Sequence, residues 1–184
     1  MSQPFSQSEL PQPPYQTTRL VIRPFEDSDA ELAHSALDQD PEVWRFDPGY
    51  ERTLAERRAI IARFAMLQHQ FGFAPMAAFA RDDGALVGQG GLNPYIYDQR
   101  DGTRTVEFEV MFKVARPCWR QGYAVEIARF WSGFAFRELQ LARLLVCPLR
   151  KNEGSIAVLK SVGATFEDDW LDPDSVIAKI TTAA

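Results

Sequence analysis

The sequence has few of the residues that build metal centres and disulfide frameworks. Its 184 residues include two cysteines, Cys118 and Cys147, and two histidines, His34 and His69, all far apart. Protein zinc sites need clustered ligands such as Cys-x-x-Cys pairs. We therefore expect no metal ion and no disulfide, and free thiols are typical of the cytoplasm.

Long apolar runs are also missing. A membrane-spanning helix needs about 20 consecutive apolar residues, and no stretch of the chain approaches that length. The first residues have neither the basic start nor the apolar segment of an export signal. The sequence therefore predicts a cytoplasmic protein without a membrane partner.

Positive charge is in deficit, since 20 basic residues face 25 acidic ones and the formal net charge is −5. Proteins whose main partner is nucleic acid usually carry basic surfaces. We therefore expect no nucleic-acid partner.

The composition is that of one globular domain, with 46% apolar residues in a chain long enough for a substantial core. Residues 1–16 are rich in Pro, Gln and Ser and are predicted to form a flexible tail. The domain is predicted to occupy residues 17–184.

Hydrophobic periodicity and capping signals predict alternating helices and strands. Capping boxes at Ser28/Glu31 and Thr53/Glu56 each open a helix, the second running to about Gln70. "DPEVWRFDPGY" between them is a predicted loop, and an Asp-Gly turn joins two strands in "APMAAFARDDGALVGQGGL". Later segments predict, in order, a strand over 103–114, a helix to about Arg137, a strand in "ARLLVCPL", a helix from Asn152 to Gly163 and a last strand in "VIAKI".

The strand "TRTVEFEVMFKV" alternates most clearly. Apolar side chains at the even positions face one way, and Thr105, Glu107, Glu109, Met111 and Lys113 face the other. With the other elements, this predicts an α/β domain with a mixed sheet of about six to seven strands and about four helices.

A glycine lies at the junction between that strand and the next helix, in "PCWRQGYA". The first turn of a helix has unpaired N–H groups and a partial positive charge, and Gly122 leaves the backbone open to a ligand. Arg116 and Arg120 flank it. The junction is a phosphate site on this interpretation, or a plain turn.

Other nucleotide and hydrolase motifs are missing. There is no GxxxxGK[ST] and no GxSxG, and "GQGG" leads into "LNPYIY" rather than into a helix.

"PCWRQGYAVEIARFWSGFAF" after one strand and "NEGSIAVLKSVGA" after another resemble the GNAT superfamily of N-acyltransferases, and most of all its ribosomal-protein N-terminal acetyltransferase (RimJ/RimL-type) branch. The superfamily pattern Q/R-x-x-G-x-G/A falls on Trp119 to Ala124. Trp119 departs from its first position and is common in the branch. The resemblance covers about residues 17–180.

The resemblance implies a GNAT-like fold, with a mostly antiparallel twisted sheet splayed at a cofactor groove, and acetyl-CoA as donor. It places the pyrophosphate on the backbone from Gln121 to Ala124, and pantetheine along the strand edge. The implied cofactor residues are Met111, Phe112, Lys113, Val114, Trp119, Arg120, Gln121, Gly122, Tyr123, Ala124 and Asn152. Asn152 is equally explained as a plain N-cap.

The implied reaction is direct attack of an amine on the thioester. Glu109 matches a glutamate common in this strand of the branch and is the candidate base, with a backbone N–H near Met111 stabilising the oxyanion. Glu107, two residues away on the same face, would raise the pKa of one carboxylate. The alternative is that these carboxylates form cross-strand ion pairs.

The proton donor is less well specified. Many superfamily members have a tyrosine seven residues after the asparagine, where this chain has Leu159. Ser155 matches a serine of the branch and is the candidate acid, or simply a residue of the first helical turn.

The predicted acceptor is a protein N-terminus or a small-molecule amine, with Trp44, Phe46 and Tyr50 either lining its site or packing the loop. The expected assembly is a monomer or a homodimer. The alternative function is a CoA-binding sensor or interaction module that keeps the groove without turnover.

Overall fold

The computed structural model describes residues 10–182. The strands are β1 (Tyr15–Gln16), β2 (Leu20–Arg23), β3 (Met76–Ala80), β4 (Leu86–Asp98), β5 (Arg104–Val114), β6 (Arg143–Val146), β7 (Thr165–Asp168) and β8 (Val176–Thr181). The helices are α1 (Ala30–Leu37), α2 (Pro41–Trp44), α3 (Leu54–Phe71), α4 (Tyr123–Arg137) and α5 (Glu153–Ser161). The described residues contain no helix long and apolar enough to cross a membrane.

The strands form two antiparallel sheets. One has the order β1-β2-β3-β4-β5 and the other the order β6-β8-β7. β5 is thus an edge strand, and β6 lies beside it without joining its ladder. The predicted α/β fold with a splayed sheet is confirmed, and the division between β5 and β6 is the splay.

Apolar side chains cover both faces of the first sheet. On one face α4 buries Ile127 and Trp131 against β5, whose residues in this cluster are Phe108, Val110, Phe112 and Val114. On the other face α1 and α3 pack against β3, with Met111 at the edge of that cluster. The alternation read from β5 therefore places its odd side chains on the α1/α3 face.

The N-terminal segment over residues 10–16 is packed on the domain and is not the flexible tail predicted from its composition. Leu10 and Tyr15 are buried, and Tyr15 packs against the rings of Phe130, Trp131 and Phe134. β1 also pairs with β2. Residues 10–16 are therefore part of the domain, because aromatic burial outweighs their Pro-rich composition; residues 1–9 lie outside the described part of the chain.

One of the two capping boxes predicted from the sequence forms as expected, and the other is displaced. The Thr53/Glu56 capping box is confirmed at α3. The box expected at Ser28/Glu31 is wrong: Glu26 and Asp29 form it two residues earlier, at the start of a 3-10 turn at Asp27–Asp29. Asp29 takes this role because its carboxylate also binds Arg23, with contacts of 2.7 and 3.0 Å.

Three elements were not predicted from the sequence. α2 forms within the expected loop, where Asp40 caps the N–H of Glu42 at 2.9 Å and Pro41 begins the helix. β7 and the two-residue β1 are too short to show a period.

The glycines of "GQGG" serve close packing within the sheet. A Cβ at Gly88 would collide with the carbonyl of Lys113, and one at Gly91 would lie 2.6 Å from the Ala74 carbonyl. Glycine is therefore needed at these positions because neighbouring backbone leaves no room for a Cβ atom. This agrees with the sequence-based conclusion that "GQGG" is not a nucleotide-binding motif.

Candidate active site

The junction before α4 has the backbone form that an anion site needs. Gly122 is the N-cap of α4 with φ +82°, and Arg120 has φ +60°. This left-handed turn leaves residues 119–122 exposed ahead of the first helical turn. The unpaired N–H groups of that turn therefore face solvent and can receive a phosphate.

An ion pair that the sequence did not reveal holds this junction in place. Arg19, just before β2, donates to Glu126 of α4 at 2.7 Å and to the carbonyl of Gln121 at 2.8 Å. Its guanidinium also lies 4.3 Å from the ring centre of Tyr123. Burial raises the pKa of Glu126, but hydrogen bonds from Thr17 and Arg19 outweigh it, so the net shift is downward. Glu126 thus stays ionised and ties α4 to the N-terminal strands.

The edge of β5 offers main-chain groups from alternate residues only. The N–H of Ala115 bonds the carbonyl of Val87 at 2.9 Å, so the odd-numbered peptide groups of β5 point toward β4. The peptide groups of Val110, Phe112 and Val114 therefore point to the open edge. This changes the predicted roles of Met111 and Lys113, whose peptide groups serve the ladder rather than the groove.

Trp119 closes one end of that edge. Its indole Nε1 donates to the carbonyl of Val114 at 2.7 Å, while 38% of the residue remains exposed. The last carbonyl of the β5 edge is therefore already paired. The exposed Arg120 makes no ion pair within residues 10–182.

Glu109 lies on the α1/α3 face of β5, opposite Asn93 of β4. The Asn93 amide donates to its Oε1 at 2.8 Å, and Arg63 of α3 donates to Asn93 at 3.2 Å. Burial raises the pKa of Glu109 above its ordinary value of 4.5, the Asn93 hydrogen bond opposes this, and the charge of Asp47 adds to it. A carboxylate with a raised pKa beside an open strand edge suits proton abstraction.

Glu107 has a different environment. It is 6% exposed and accepts hydrogen bonds from Arg143 of β6, one of them at 3.1 Å. Thr105 donates to it at 3.0 Å. The ion pair expected as an alternative on this face is thus present at Glu107, and the shift at Glu109 arises from burial and Asp47 rather than from Glu107.

Lys113 binds the loop after α2 through its side chain. Its Nζ donates to the carbonyl of Asp47 at 2.6 Å and lies 3.0 Å from the Asp47 carboxylate. Burial lowers the pKa of Lys113, and Asp47 opposes that shift. This contact brings the loop that carries Phe46 and Tyr50, and that follows Trp44 at the end of α2, to the same face as Glu109.

Asn152 caps α5, its Oδ1 accepting from the N–H of Ser155 at 3.1 Å. The side-chain amide N–H groups of Asn152 make no hydrogen bond within residues 10–182 and remain available. The Ser155 hydroxyl is likewise unbonded in this part of the chain, whereas Leu159 is fully buried in the core. The N-cap interpretation of Asn152 is confirmed, and a second contact to a ligand remains open to it.

Sequence reasoning missed Tyr95. Its hydroxyl crosses from β4 to donate to the carbonyl of Leu145 in β6 at 3.0 Å, so it spans the splay. Burial raises the pKa of Tyr95, and burial likewise raises that of neighbouring Cys147 to about 11. Both groups stay protonated near neutral pH. Alternation in "NPYIY" places Tyr95 on the Glu109 face, but sequence does not show that its side chain reaches another sheet.

Comparison with known protein families gives a match over most of the chain. Residues 19–165 match the model described as an acetyltransferase (GNAT) domain. An Aspergillus fumigatus protein named FsC-acetyl coenzyme A-N(2)-transacetylase is 32% identical over 165 residues, which cover 88% of this chain and 68% of that protein.

Solved structures share the fold at lower identity. An acetyltransferase from Agrobacterium tumefaciens has a TM-score of 0.77 at 21% identity, covering 94% of this chain and 96% of that one. RimL, a ribosomal L7/L12 alpha-N-protein acetyltransferase solved with coenzyme A, has a TM-score of 0.69 at 15% identity, covering 90% of this chain and 95% of that one.

Proposed function

The chain belongs to the GNAT acetyltransferase family and is an acyltransferase, and from this we propose that it transfers the acetyl group of acetyl-CoA to a primary amine that is either a protein N-terminus or a small-molecule amine. One observation carries the proposal most strongly. The exposed N-terminus of α4 at Gly122 follows the C-terminal end of β5, whose edge has no strand partner within residues 10–182 and keeps the peptide groups of Val110 and Phe112 open beyond the Trp119 contact. A single extended ligand with a phosphate at one end can occupy both.

The donor would bind by main-chain contacts. The N–H groups from Gln121 to Ala124 would hold the pyrophosphate, and the peptide groups of Val110 and Phe112 would pair with pantetheine as an added strand does. The amide of Asn152 would contact the same arm from the other side of the splay. The oxyanion donor is then an even-numbered N–H of β5 rather than that of Met111.

Glu109 would take the proton from the attacking amine, directly or through water. The amine nitrogen forms a bond to the thioester carbon, the carbon–sulfur bond breaks, and the thiolate leaves with a proton. The Ser155 hydroxyl, unbonded within residues 10–182, would supply that proton. Asn93 orients the Glu109 carboxylate by its 2.8 Å hydrogen bond.

The names of two similar proteins describe the kind of acceptor that each of them uses. The Aspergillus protein is named for transfer to an N(2) nitrogen, and RimL for transfer to a protein α-amine. Both names describe an amine as the acceptor, which does not favour a module without turnover.

The direct experiment mixes the protein with acetyl-CoA and a panel of amines and peptides and measures free thiol. Thiol release that depends on an amine supports the proposal. CoA binding is measured alongside by thermal shift, where a hundredfold excess over Kd adds about 2.7 kcal/mol. A shift without thiol release on any acceptor would indicate the sensor, and no shift at millimolar CoA would contradict both functions.

A further inference from the structure

The face of β5 that carries Glu109 is closed just beyond it, toward the N-terminal end of the strand. Tyr95 of β4 lies opposite Glu107, and its hydroxyl donates to the carbonyl of Leu145 in β6 at 3.0 Å. Its side chain therefore crosses β5 from one sheet to the other. Because Glu109 is paired with Asn93, Tyr95 is its diagonal neighbour, about 7–8 Å away.

A buried ion pair completes this closure. Glu107 is 6% exposed and accepts hydrogen bonds from Arg143, the first residue of β6. The pair joins the two sheets beside the Tyr95 ring. We call the side chains of Tyr95, Glu107 and Arg143 the barrier.

The ring of Tyr95 is fixed by its neighbours. Its centre lies 6.4 Å from that of Tyr97 at an interplanar angle of 86°. Together with Cys147 it packs against the buried side chains of Leu145 and Ile177. Tyr95 itself is half-buried, so part of the ring is left to contact a ligand. The ring cannot move aside without breaking these contacts.

The proposed donor would reach the barrier with its acyl end. The pyrophosphate site at Gly122 follows the C-terminal end of β5, and the open peptide groups of Phe112 and Val110 come next along the path of the arm. The thioester carbon must lie near Glu109, because the attacking amine gives its proton to that carboxylate. The acyl chain then points to the N-terminal end of β5, where it meets Tyr95.

Other directions for the acyl chain are restricted as well. On the even face of β5, the side chains of Ile127 and Trp131 are fully buried, so that face is filled. On the odd face, Lys113 holds the loop of Asp47, from which side the acceptor would approach. An acyl chain turned that way would occupy the place of the amine.

We propose that Tyr95 determines which acyl group the donor can carry, because its ring ends the acyl pocket so that acetyl-CoA fits and butyryl-CoA or a longer thioester does not. The proposal rests on the proposed acetyl transfer. Overfilling a packed site is unfavourable, and one methylene in a fitted pocket changes specificity by about 10–200-fold.

Space is present on the far side of the barrier. A cavity of about 490 Å³ lies where the end of the β4–β5 hairpin meets the second sheet, and its lining includes Arg143, Leu145 and Trp170. Arg143 and Leu145 also contact the barrier residues Glu107 and Tyr95. Removing the Tyr95 ring would therefore extend the acyl pocket toward this cavity.

The experiment compares acetyl-, propionyl-, butyryl- and hexanoyl-CoA on the full chain. Affinity is measured by isothermal titration without an acceptor, and kcat/KM by thiol release with the amine panel. We expect both quantities to fall about tenfold from acetyl to propionyl and about 100-fold from acetyl to butyryl. In Tyr95→Ala, butyryl-CoA should come within about threefold of acetyl-CoA, because the ring is larger than two methylene groups.

Two further variants assign the effect to the ring. Tyr95→Phe keeps the ring and should keep the preference for acetyl-CoA within about threefold. Trp170→Ala is the matched control, because it removes a 40% exposed aromatic side chain from the cavity and leaves the barrier in place. Melting temperatures show whether each variant is folded. Should Tyr95→Ala not fold, Tyr95→Leu replaces it, and its preference for acetyl over butyryl should fall to about tenfold.

The outcomes separate the two proposals. A binding preference for short acyl-CoA without thiol release supports the acyl limit and contradicts acetyl transfer. Thiol release with equal use of all four donors contradicts the limit and leaves acetyl transfer in place. An unchanged preference in folded Tyr95→Ala, or an equal loss of preference in Trp170→Ala, would also overturn the assignment.

Discussion

At the scale of single residues, the side chain of Glu109 carries the proposed chemistry, and its surroundings explain why. It is neither free in solvent nor neutralised by a cation, since its hydrogen bond comes from the Asn93 amide. Burial raises its pKa, the Asn93 hydrogen bond and the charge of Arg63 oppose that shift, and the net direction is upward. Glu107, two residues away, has the same charge and a similar depth but is neutralised by Arg143.

Glu109→Gln should lower kcat by about 10²–10⁴-fold, the usual contribution of a general base, while CoA affinity stays unchanged. The wild-type pH–rate profile should have an acidic limb above pH 4.5, the ordinary carboxyl value that burial raises. The limb should vanish in the variant. Full activity of the variant would assign the base role to another group.

The same substitution has a stability signature. A carboxyl whose pKa is raised on folding lowers the free energy of unfolding as pH rises from its unfolded pKa to its folded pKa, because burial disfavours the ionised form. Glu109→Gln should therefore raise the melting temperature at pH 7.5, and the difference should disappear at pH 4.

Gly122→Glu should weaken CoA binding by at least about 100-fold, because it adds bulk and negative charge at a helix N-terminus that would hold the pyrophosphate. Gly163→Glu is the matched control, since Gly163 has φ +86° with open space around its Cβ position and lies after α5. Both variants carry the same backbone strain. Isothermal titration with CoA separates them, and equal affinities would contradict the placement of the pyrophosphate.

At the scale of elements, the proposed CoA contact of Asn152 can be separated by mutation from its observed role as the N-cap of α5. Asn152→Ser should leave the melting temperature nearly unchanged, because serine caps helices as well as asparagine does. CoA affinity should fall about tenfold, the effect of one lost hydrogen bond. Asn152→Ala should show the same affinity loss and a further stability loss of about 1 kcal/mol. Unchanged affinity in both would leave Asn152 as a cap alone.

The close approach of β4 to the segment before β3 gives a prediction about packing. Gly91→Ala should destabilise the fold by about 2–4 kcal/mol, because its Cβ would meet the backbone of Ala74 and Pro75, which cannot rotate away. Gly154→Ala, whose Cβ would lie 3.8 Å from its nearest neighbour within a helix, should be neutral or slightly stabilising. Chemical denaturation of both variants measures the difference.

Most elements could be predicted from the sequence because each follows a local rule. β5 alternates, α3 begins at a capping box, and α5 begins at Asn152 and is followed by Gly163 in a left-handed conformation. The Arg19–Glu126 pair could not be predicted, because 107 residues separate the two partners. Tyr95 and the cavity at Trp170 were missed for the same reason, since both arise where the two sheets meet.

At the scale of the whole molecule, the domain begins earlier than composition indicates. Deleting residues 1–16 should cost about 2–4 kcal/mol, because it removes the buried side chains of Leu10 and Tyr15. The deletion keeps Thr17 and Arg19, so their contacts with Glu126 remain and the loss reports on packing. Thermal unfolding of the shortened chain is the measurement, and an unchanged melting temperature would restore the flexible-tail interpretation.

In β5, side chains and main-chain groups face different surroundings, and this affects which substitutions the protein can accept over evolutionary time. Its odd-numbered side chains face the Glu109 side, while its even-numbered peptide groups form the open edge. Peptide groups are common to nearly every amino acid, so replacing a side chain on the odd face leaves the edge chemically intact. On the proposed assignment, in which the edge binds the donor and the odd face meets the acceptor, acceptor choice can drift by point mutation while the donor is retained, which makes this strand a target for redesigning specificity.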